Sequence, residues 1–304
     1  MAARKKPATK KPPAGGMRVL VTGGSGRIGR WVVRRLLDGG HDVRSLDLAP
    51  GEEPGANYIV GDTRRREVVE AALRGCDSLI HLAEIPNAAA PFPSDEIYWR
   101  NAQSMATVFK AAADLGIRHA VYSSSCQVYG CWGQNSVAPL RLPIDENTPV
   151  NPRNVYAVSK AANELFVQNL ARESTLGVSI FRFPWVVTRP DEEQRLTGGR
   201  GIADGPLGDG LGTFVHASDL ARAMEAAVEN GHGGCEVYNL ASSDVISVIP
   251  IGIRLAHHHP DFPRLPADWP EHQSPILLTK AEKMLGWRPQ WTFRGHLLAM
   301  ASRT

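Results

Sequence analysis

Tyr156-Ala-Val-Ser-Lys160 sets a phenol and an ammonium four residues apart at the start of an amphipathic stretch. On a helix that spacing brings both side chains to one face. A phenol is a poor base at neutral pH, because its ordinary pKa is about 10. A neighbouring ammonium stabilises the phenolate and lowers that barrier. Such a pair can remove a proton from an alcohol, or return one, provided something else exchanges the hydride. A second set of chemical groups is Ser123-Ser-Ser125, at the end of a β-branched and aromatic run. A hydroxyl there can hold the reacting oxygen against the phenol. It can equally satisfy its own backbone, and the residues alone do not choose among the three serines.

The group that would exchange hydride is signalled upstream. Val19-Leu-Val-Thr-Gly-Gly-Ser-Gly-Arg-Ile-Gly29 runs from an apolar strand straight into a helix, with Gly23, Gly26 and Gly29 spaced G-x-x-G-x-x-G. Missing side chains permit a tight turn and close approach of a pyrophosphate, and the helix N-terminus offers N–H groups and partial positive charge. Strand before and helix after is the context a dinucleotide cradle requires. Asp47 follows Gly23 by 24 residues, about where an acid accepts hydrogen bonds from the adenosine ribose. A carboxylate there repels a 2′-phosphate, which favours NAD over NADP. Arg27 and Arg30 argue the other way if either pairs with such a phosphate, and are neutral on the point if they are simply solvated.

These residues need a scaffold. From Met17 short β-branched runs alternate with longer amphipathic stretches, the pattern of a parallel sheet flanked by helices. Strands are expected at 18–22, 42–47, 57–60, 78–82, 119–123, 178–182 and 236–240, and helices near 27–39, 65–74, 97–115 and 155–173. Right-handed crossovers make this a doubly wound sheet. The glycine turn, Asp47 and the serines then fall at strand ends, where such folds bind ligands. The core face of the Tyr156 helix reads as Val158, Ala162, Leu165 and Phe166, continuing to Leu170. Residues 189–212 are polar and hold seven glycines, which suits a mobile loop over a site. Phe214-Val-His-Ala-Ser-Asp219 opens another helix, and the Pro-rich remainder reads as short helices.

Together these pieces resemble the extended short-chain dehydrogenase/reductase family, the NAD-dependent epimerase/dehydratase group. The markers are Thr22-Gly-Gly-Ser-Gly-Arg-Ile-Gly29, Gly61-Asp62, His81-Leu-Ala83, Asn101 before a long helix, Ser123-Ser-Ser-Cys-Gln-Val-Tyr-Gly130 and Tyr156-x-x-x-Lys160. Phe214-Val-His216 with Asp219, Tyr238-Asn-Leu240 and Lys280-Ala-Glu-Lys-Met-Leu-Gly-Trp287 complete them. The resemblance implies an α/β fold, a Rossmann-type doubly wound parallel sheet with a small C-terminal substrate-binding lobe. The chain is read as a disordered basic tail (1–16), a NAD-binding domain (17–183, with 211–241 returning to it) and a substrate-binding lobe (184–210 and 242–304). The resemblance implies that Arg27 and Ile28 lie over the pyrophosphate with the glycines, and that Asp47 holds the ribose. Asp62 and Thr63 flank the adenine, while Leu82, Ala83 and Asn101 line the groove. Ser125 corresponds to the catalytic serine or threonine, Tyr156 to the general acid/base, and Lys160 also holds the nicotinamide ribose. Phe183 and Pro184 close over the nicotinamide end. A homodimer through helices 97–115 and 155–173 is implied as well.

Three departures bear on substrate. Glu84 stands where the family usually has a small residue, and either binds a substrate hydroxyl or faces solvent. Trp185 replaces an Asn that commonly helps bind substrate in nucleotide-sugar enzymes. Only residues 183–213 separate Arg182 from Phe214, little surface for a nucleoside diphosphate. The leading expectation is therefore NAD-dependent oxidation or reduction at a secondary alcohol or carbonyl of a small polar substrate, such as a sugar or sugar acid. The alternatives are a nucleotide-sugar epimerase or dehydratase that recycles its NAD, and a non-catalytic dinucleotide sensor.

Composition excludes other classes. Arg4, Lys5, Lys6, Lys10 and Lys11 lie in the first 16 residues, which hold no acid; without them the 34 basic residues fall to 29, against 31 acidic ones. A nucleic-acid-binding body is not expected, nor, without an apolar run of roughly 20 residues, a membrane span. The tail buries too little apolar surface to fold and has no hydrophobic stretch typical of a secretory signal. Cys76, Cys126, Cys131 and Cys235 lack metal-ligand spacing and read as free thiols in a reducing cytoplasm. No metal is expected: His216 belongs to a family landmark, and His257-His-His259 precedes Pro260 and reads as a helix end.

Overall fold

A computed structural model describes residues 16–87, 90–133, 135–188 and 211–302. The tail and almost all of the glycine-rich loop at 189–212 lie outside these residues. Seven strands form one parallel sheet: β1 (Arg18–Thr22), β2 (Asp42–Asp47), β3 (Asn57–Val60), β4 (Ser78–His81), β5 (His119–Ser123), β6 (Gly177–Arg182) and β9 (Cys235–Asn239), in the order β3-β2-β1-β4-β5-β6-β9. The order reverses between β1 and β4, and every strand ends on the same edge. That edge, at the switch point, is where a doubly wound sheet offers a crevice. The strands are sequence runs with apolar residues on both faces, as a sheet covered on both sides requires. Val19, Val21, Ile80 and Val121 face one core, while Leu20, Leu79, Ala120, Tyr122, Val178 and Ile180 face the other.

Helices cover both faces. α1 (Gly29–Asp38) packs against α5 (Ala217–Glu229) on one side, and α2 (Arg66–Leu73), α3 (Ser94–Asp114) and α4 (Val155–Glu173) pack in sequence on the other. β7 (Trp185–Val187) and β8 (Phe214–His216) form a separate two-stranded parallel sheet. β7 was not expected from its sequence, because three residues carry no readable period. The first three residues of the stretch expected to open a helix at Phe214 are β8, and α5 begins only at Ala217.

The C-terminal segment carries α6 (Ile251–His258), α7 (Thr279–Leu285) and α8 (Phe293–Ala301). Its Ile276, Leu278, Ala281, Leu285 and Trp287 join the core that packs on the sheet. Buried Asp219 at the start of α5 fastens it, accepting the N–H groups of Gln290 (3.0 Å) and Trp291 (2.9 Å) through Oδ2. Asp244 does the same for Phe293 and Arg294 at the start of α8. His216 caps α5 through Nδ1 and stacks on Trp291 with centroids 5.3 Å apart.

The expected core face of α4 is corrected. Val158, Leu165 and Phe166 are exposed, by 42%, 68% and 40%. The buried residues are Tyr156, Ala157, Ser159, Lys160, Asn163, Glu164, Val167, Leu170 and Ala171. The reason is chemical. Lys160 and Glu164 each find a buried ionic partner, so the polar stripe goes inward and an apolar stripe is left on the surface.

Candidate active site

The glycine turn leaves β1 with Gly23 at φ +73°, a conformation that disfavours any side chain. A Cβ on Gly23 would sit 2.7 Å from the Ala83 nitrogen, and one on Gly29 would sit 2.1 Å from the Gly23 carbonyl oxygen. Bare backbone is therefore obligatory at both ends of the turn. Ile28 precedes α1 and gives its N-terminus no side-chain cap, and a helix N-terminus carries partial positive charge suited to an anion. Asp47, at the tip of β2, accepts the N–H groups of Ser25 (3.0 Å) and Leu48 (2.7 Å), so its carboxylate lies against the turn. The guanidinium of Arg27 donates to Thr188 Oγ1 at 3.0 Å, which joins the turn to the end of the β7 segment.

Further along the edge, Asp62 pairs with Arg64 at 2.5 Å, and that guanidinium holds its carboxyl below the usual carboxylate range. The buried Thr63 hydroxyl meets Ser104 Oγ at 2.6 Å, and Ser104 donates to the Ala83 carbonyl at 3.0 Å. Leu82 donates its N–H to Thr22 across β1 and β4. Asn101 is spent on backbone: its Oδ1 accepts from the Ile85 N–H at 2.7 Å and its Nδ2 donates to the Ile85 carbonyl at 3.1 Å. It thereby fixes the segment that carries Leu82, Ala83 and Glu84. The Phe183 carbonyl accepts the Cys126 N–H at 3.0 Å, tying the end of β6 to the serine cluster. Phe183 is buried, Pro184 follows it, and Trp185 opens β7 with 43% of its surface exposed.

The structure separates the three serines. Ser123 Oγ donates to the His81 carbonyl at 2.8 Å, and Ser124 Oγ donates to Glu164 at 2.5 Å. Ser125 is the serine whose side chain acts on the Tyr156 phenol, drawing its pKa down, while its Oγ accepts the Gln127 N–H at 3.2 Å. Lys160 is 3% exposed. Its Nζ lies 5.5 Å from the centroid of the Tyr156 ring and donates to the Ser123 carbonyl at 2.6 Å. Ser125, Tyr156 and Lys160 thus converge at the carboxyl end of β5.

Glu84 lies differently from either expectation. Its side chain is 3% exposed, so it does not face solvent, and its oxygens are already engaged. Oε2 takes a proton donor from Lys160 Nζ; Oε1 accepts from Asn163 Nδ2 (2.9 Å) and the Tyr122 hydroxyl (3.2 Å). A substrate hydroxyl would have to displace one of these. Asn163 and Tyr122 were not singled out from sequence. Asn163 follows Lys160 by three residues and so shares its helix face, which was a usable signal; Tyr122 carries none beyond its place before the serines.

Burial pushes the Tyr156 phenol above its ordinary value, against the opposing pull of the Lys160 ammonium and with a further push from Glu84. Burial also opposes the charge on Lys160, but Glu84 and the phenol outweigh it, and the ammonium is held above its ordinary value. His81, buried beside Lys160, falls to about 3 because burial and the lysine disfavour its charge. Far from this site, His41, Glu225 and Glu229 gather as a possible metal trio. His41 Nδ1 accepts the Met17 N–H at 3.3 Å, its Nε2 lies 3.6 Å from Glu229, and Arg35 holds Glu225 at 2.5 Å.

Comparison with known proteins agrees with this architecture. The profile of the NAD dependent epimerase/dehydratase family matches residues 19–241. A UDP-glucose 4-epimerase of Streptomyces lividans is 28% identical over 307 residues, 89% of this chain and 91% of that protein. An L-arabinose 1-dehydrogenase (NAD(P)(+)) of Haloferax volcanii is 27% identical over 217 residues, 69% of this chain and 84% of that one. Among solved structures, MoeE5 in complex with UDP-glucose and NAD superposes with a TM-score of 0.70 at 24% identity, covering 94% of this chain and 100% of that chain, a likeness of fold. With the family's phosphate turn, serine end and Tyr-Lys helix assembled on one sheet edge, this chain belongs to the NAD dependent epimerase/dehydratase family of extended short-chain dehydrogenase/reductase enzymes.

Proposed function

We propose that the protein is a NAD-dependent oxidoreductase acting at a secondary alcohol or carbonyl of a small polar substrate, a free sugar or sugar acid. The observation that carries it is the convergence of Ser125, Tyr156 and Lys160 beside a glycine turn that tolerates no side chain. The turn residues Gly23, Gly26, Arg27, Ile28 and Gly29 would hold the pyrophosphate and Asp47 the ribose. Asp62 and Thr63 would border the adenine, Leu82, Ala83 and Asn101 the groove, and Lys160, Phe183 and Pro184 the nicotinamide end. When bound, NAD supplies the hydride acceptor, or in reduced form the donor. The chain supplies the rest. The Tyr156 oxygen takes the hydroxyl proton of the substrate or gives it back. Ser125 Oγ, which acts on the same phenol, orients the substrate oxygen against it. Of the three Nζ donors of Lys160, Ser123 and Glu84 occupy two, and the third is left for a ribose hydroxyl.

Residues 183–213 leave short length for a nucleotide-binding insertion, and Trp185 presents an exposed indole face that can stack on a sugar ring. A second reading, nucleotide-sugar epimerisation with recycled NAD, is favoured by the near full-length match to a UDP-glucose 4-epimerase. A thermal-shift screen with NAD discriminates them, because a ligand stabilises the state that binds it. Free sugars or sugar acids should raise the midpoint and yield NADH. Stabilisation by UDP-sugars alone, with NAD retained through purification and no NADH formed, would overturn the oxidoreductase reading.

The functional unit is proposed to be a homodimer. α3 and α4 pack side by side, and they expose Trp99 (65%), Leu165 (68%), Phe166 (40%) and Val158 (42%). A second copy of the same helix pair covers such a stripe with an identical one.

A further inference from the structure

We infer that Glu84 is a positioning residue that competes with the Tyr156 phenolate for the Lys160 ammonium. The inference deepens the reading of Tyr156 as the proton-transfer group and rests on it. A lysine beside a catalytic phenol lowers the cost of the phenolate because the phenolate becomes its counter-ion. Here a counter-ion is already in place: burial raises the Glu84 carboxyl above its ordinary value, while the Lys160 ammonium and the Tyr122 and Asn163 donors pull it back toward the charged form. Glu84 Oε2 bonds Nζ, and Asn163 and Tyr122 anchor Oε1. The carboxylate cannot swing into water, since its side chain is 3% exposed. Ionising Tyr156 therefore places a second anion on one buried cation.

The other groups facing this cluster do not relieve the crowding. From β5, Tyr122 is raised well above its ordinary value by burial and stays neutral. From the turn after β5, the Cys126 thiol is likewise pushed up by burial. From β4, His81 is lowered to about 3 and is uncharged at working pH. On α4 itself, Glu164 is paired with Arg182, whose Nη2 lies 2.6 Å away. That leaves Glu84, Lys160 and Tyr156 as the set whose charges compete. The sign is fixed: an extra negative charge beside a phenol raises its pKa. At neutral pH Tyr156 is then held as the neutral phenol, ready to donate a proton to a carbonyl oxygen. Its use as a base for alcohol oxidation moves to more alkaline pH.

The direct test is a pH titration of [13Cζ]tyrosine-labelled full-length protein by NMR, with the Tyr156 signal assigned by its loss in Tyr156→Phe. It is run without added NAD and again with saturating NAD. Glu84→Gln keeps the shape and removes the charge, and Glu84→Ala installs the small residue usual in the family. Both should lower the Tyr156 midpoint by about one pH unit or more, about tenfold more phenolate at a given pH. Glu84→Asp keeps the charge and should hold the midpoint nearer the parent's. Midpoints unchanged or raised in both uncharged variants would overturn the inference. If Glu84→Gln does not fold, Glu84→Ala alone decides. The readout needs no substrate, so a failure of the oxidoreductase reading would show as missing turnover while the titration still reports on Glu84.

Discussion

At the scale of single residues, the site is a contest over where one proton and one positive charge reside. Tyr156 is buried with 7% of its surface exposed, and its ring lies beside Lys160. Tyr156→Phe removes the proton carrier and leaves the ring's packing. NADH formation should fall at least a thousandfold, within the range general acid–base groups contribute, while calorimetry should show NAD affinity within a fewfold of the parent. Turnover at parental rate in that variant would remove Tyr156 from the mechanism. The placement of Tyr156 beside Lys160, and the tight glycine turn, were legible in the sequence because each depends on local spacing. The environment of Glu84 was not. Its partners lie on β5 and α4, 38 to 79 residues away, and only the folded sheet brings them together. Ser125 was singled out by the family resemblance, while the engagement of Ser123 and Ser124 with partners in β4 and α4 is visible only in the fold.

At the scale of elements, the glycine turn and the β6 terminus position the site from two sides. A Cβ on Gly29 meets backbone at 2.1 Å, and backbone cannot step aside as a flexible side chain does. Gly29→Ala should destabilise the fold by about 1–3 kcal/mol and weaken NAD binding at least tenfold in calorimetry; unchanged affinity would show that the turn is not the cradle. On the other side Arg182 pairs with Glu164 and donates to Tyr129 at 3.0 Å, fastening β6 to α4 and to the segment after β5. Arg182→Met leaves Glu164 buried without its counter-ion, which costs about 3–5 kcal/mol. Urea denaturation should show a clearly lower midpoint. Strands were legible from their β-branched runs, and the ends of β2 and β5 match the sequence expectation residue for residue. The face of α4 was not legible from hydrophobicity. Its polar residues are the buried ones, and periodicity cannot foresee that Lys160 and Glu164 find partners inside.

At the scale of the whole molecule, the parallel order β3-β2-β1-β4-β5-β6-β9 brings residues from β1, β2, β4, β5 and β6 to one edge. That architecture was readable in advance, because strand–helix alternation and right-handed crossovers leave few other arrangements. The inverted α4 bears on the proposed dimer at this scale, since it leaves Leu165 68% exposed. Leu165→Glu should convert a dimer to a monomer in analytical ultracentrifugation with little loss of NAD affinity, and a parent that sediments as a monomer would exclude the proposed interface. Among the described residues no helix is long and apolar enough to cross a membrane.

A crystal structure of the NAD complex is the most direct test. The account predicts the pyrophosphate on the Gly23–Gly29 turn, with the nicotinamide ring reaching the phenol of Tyr156. A dinucleotide bound elsewhere, or a nicotinamide directed away from Tyr156 and Lys160, would contradict it.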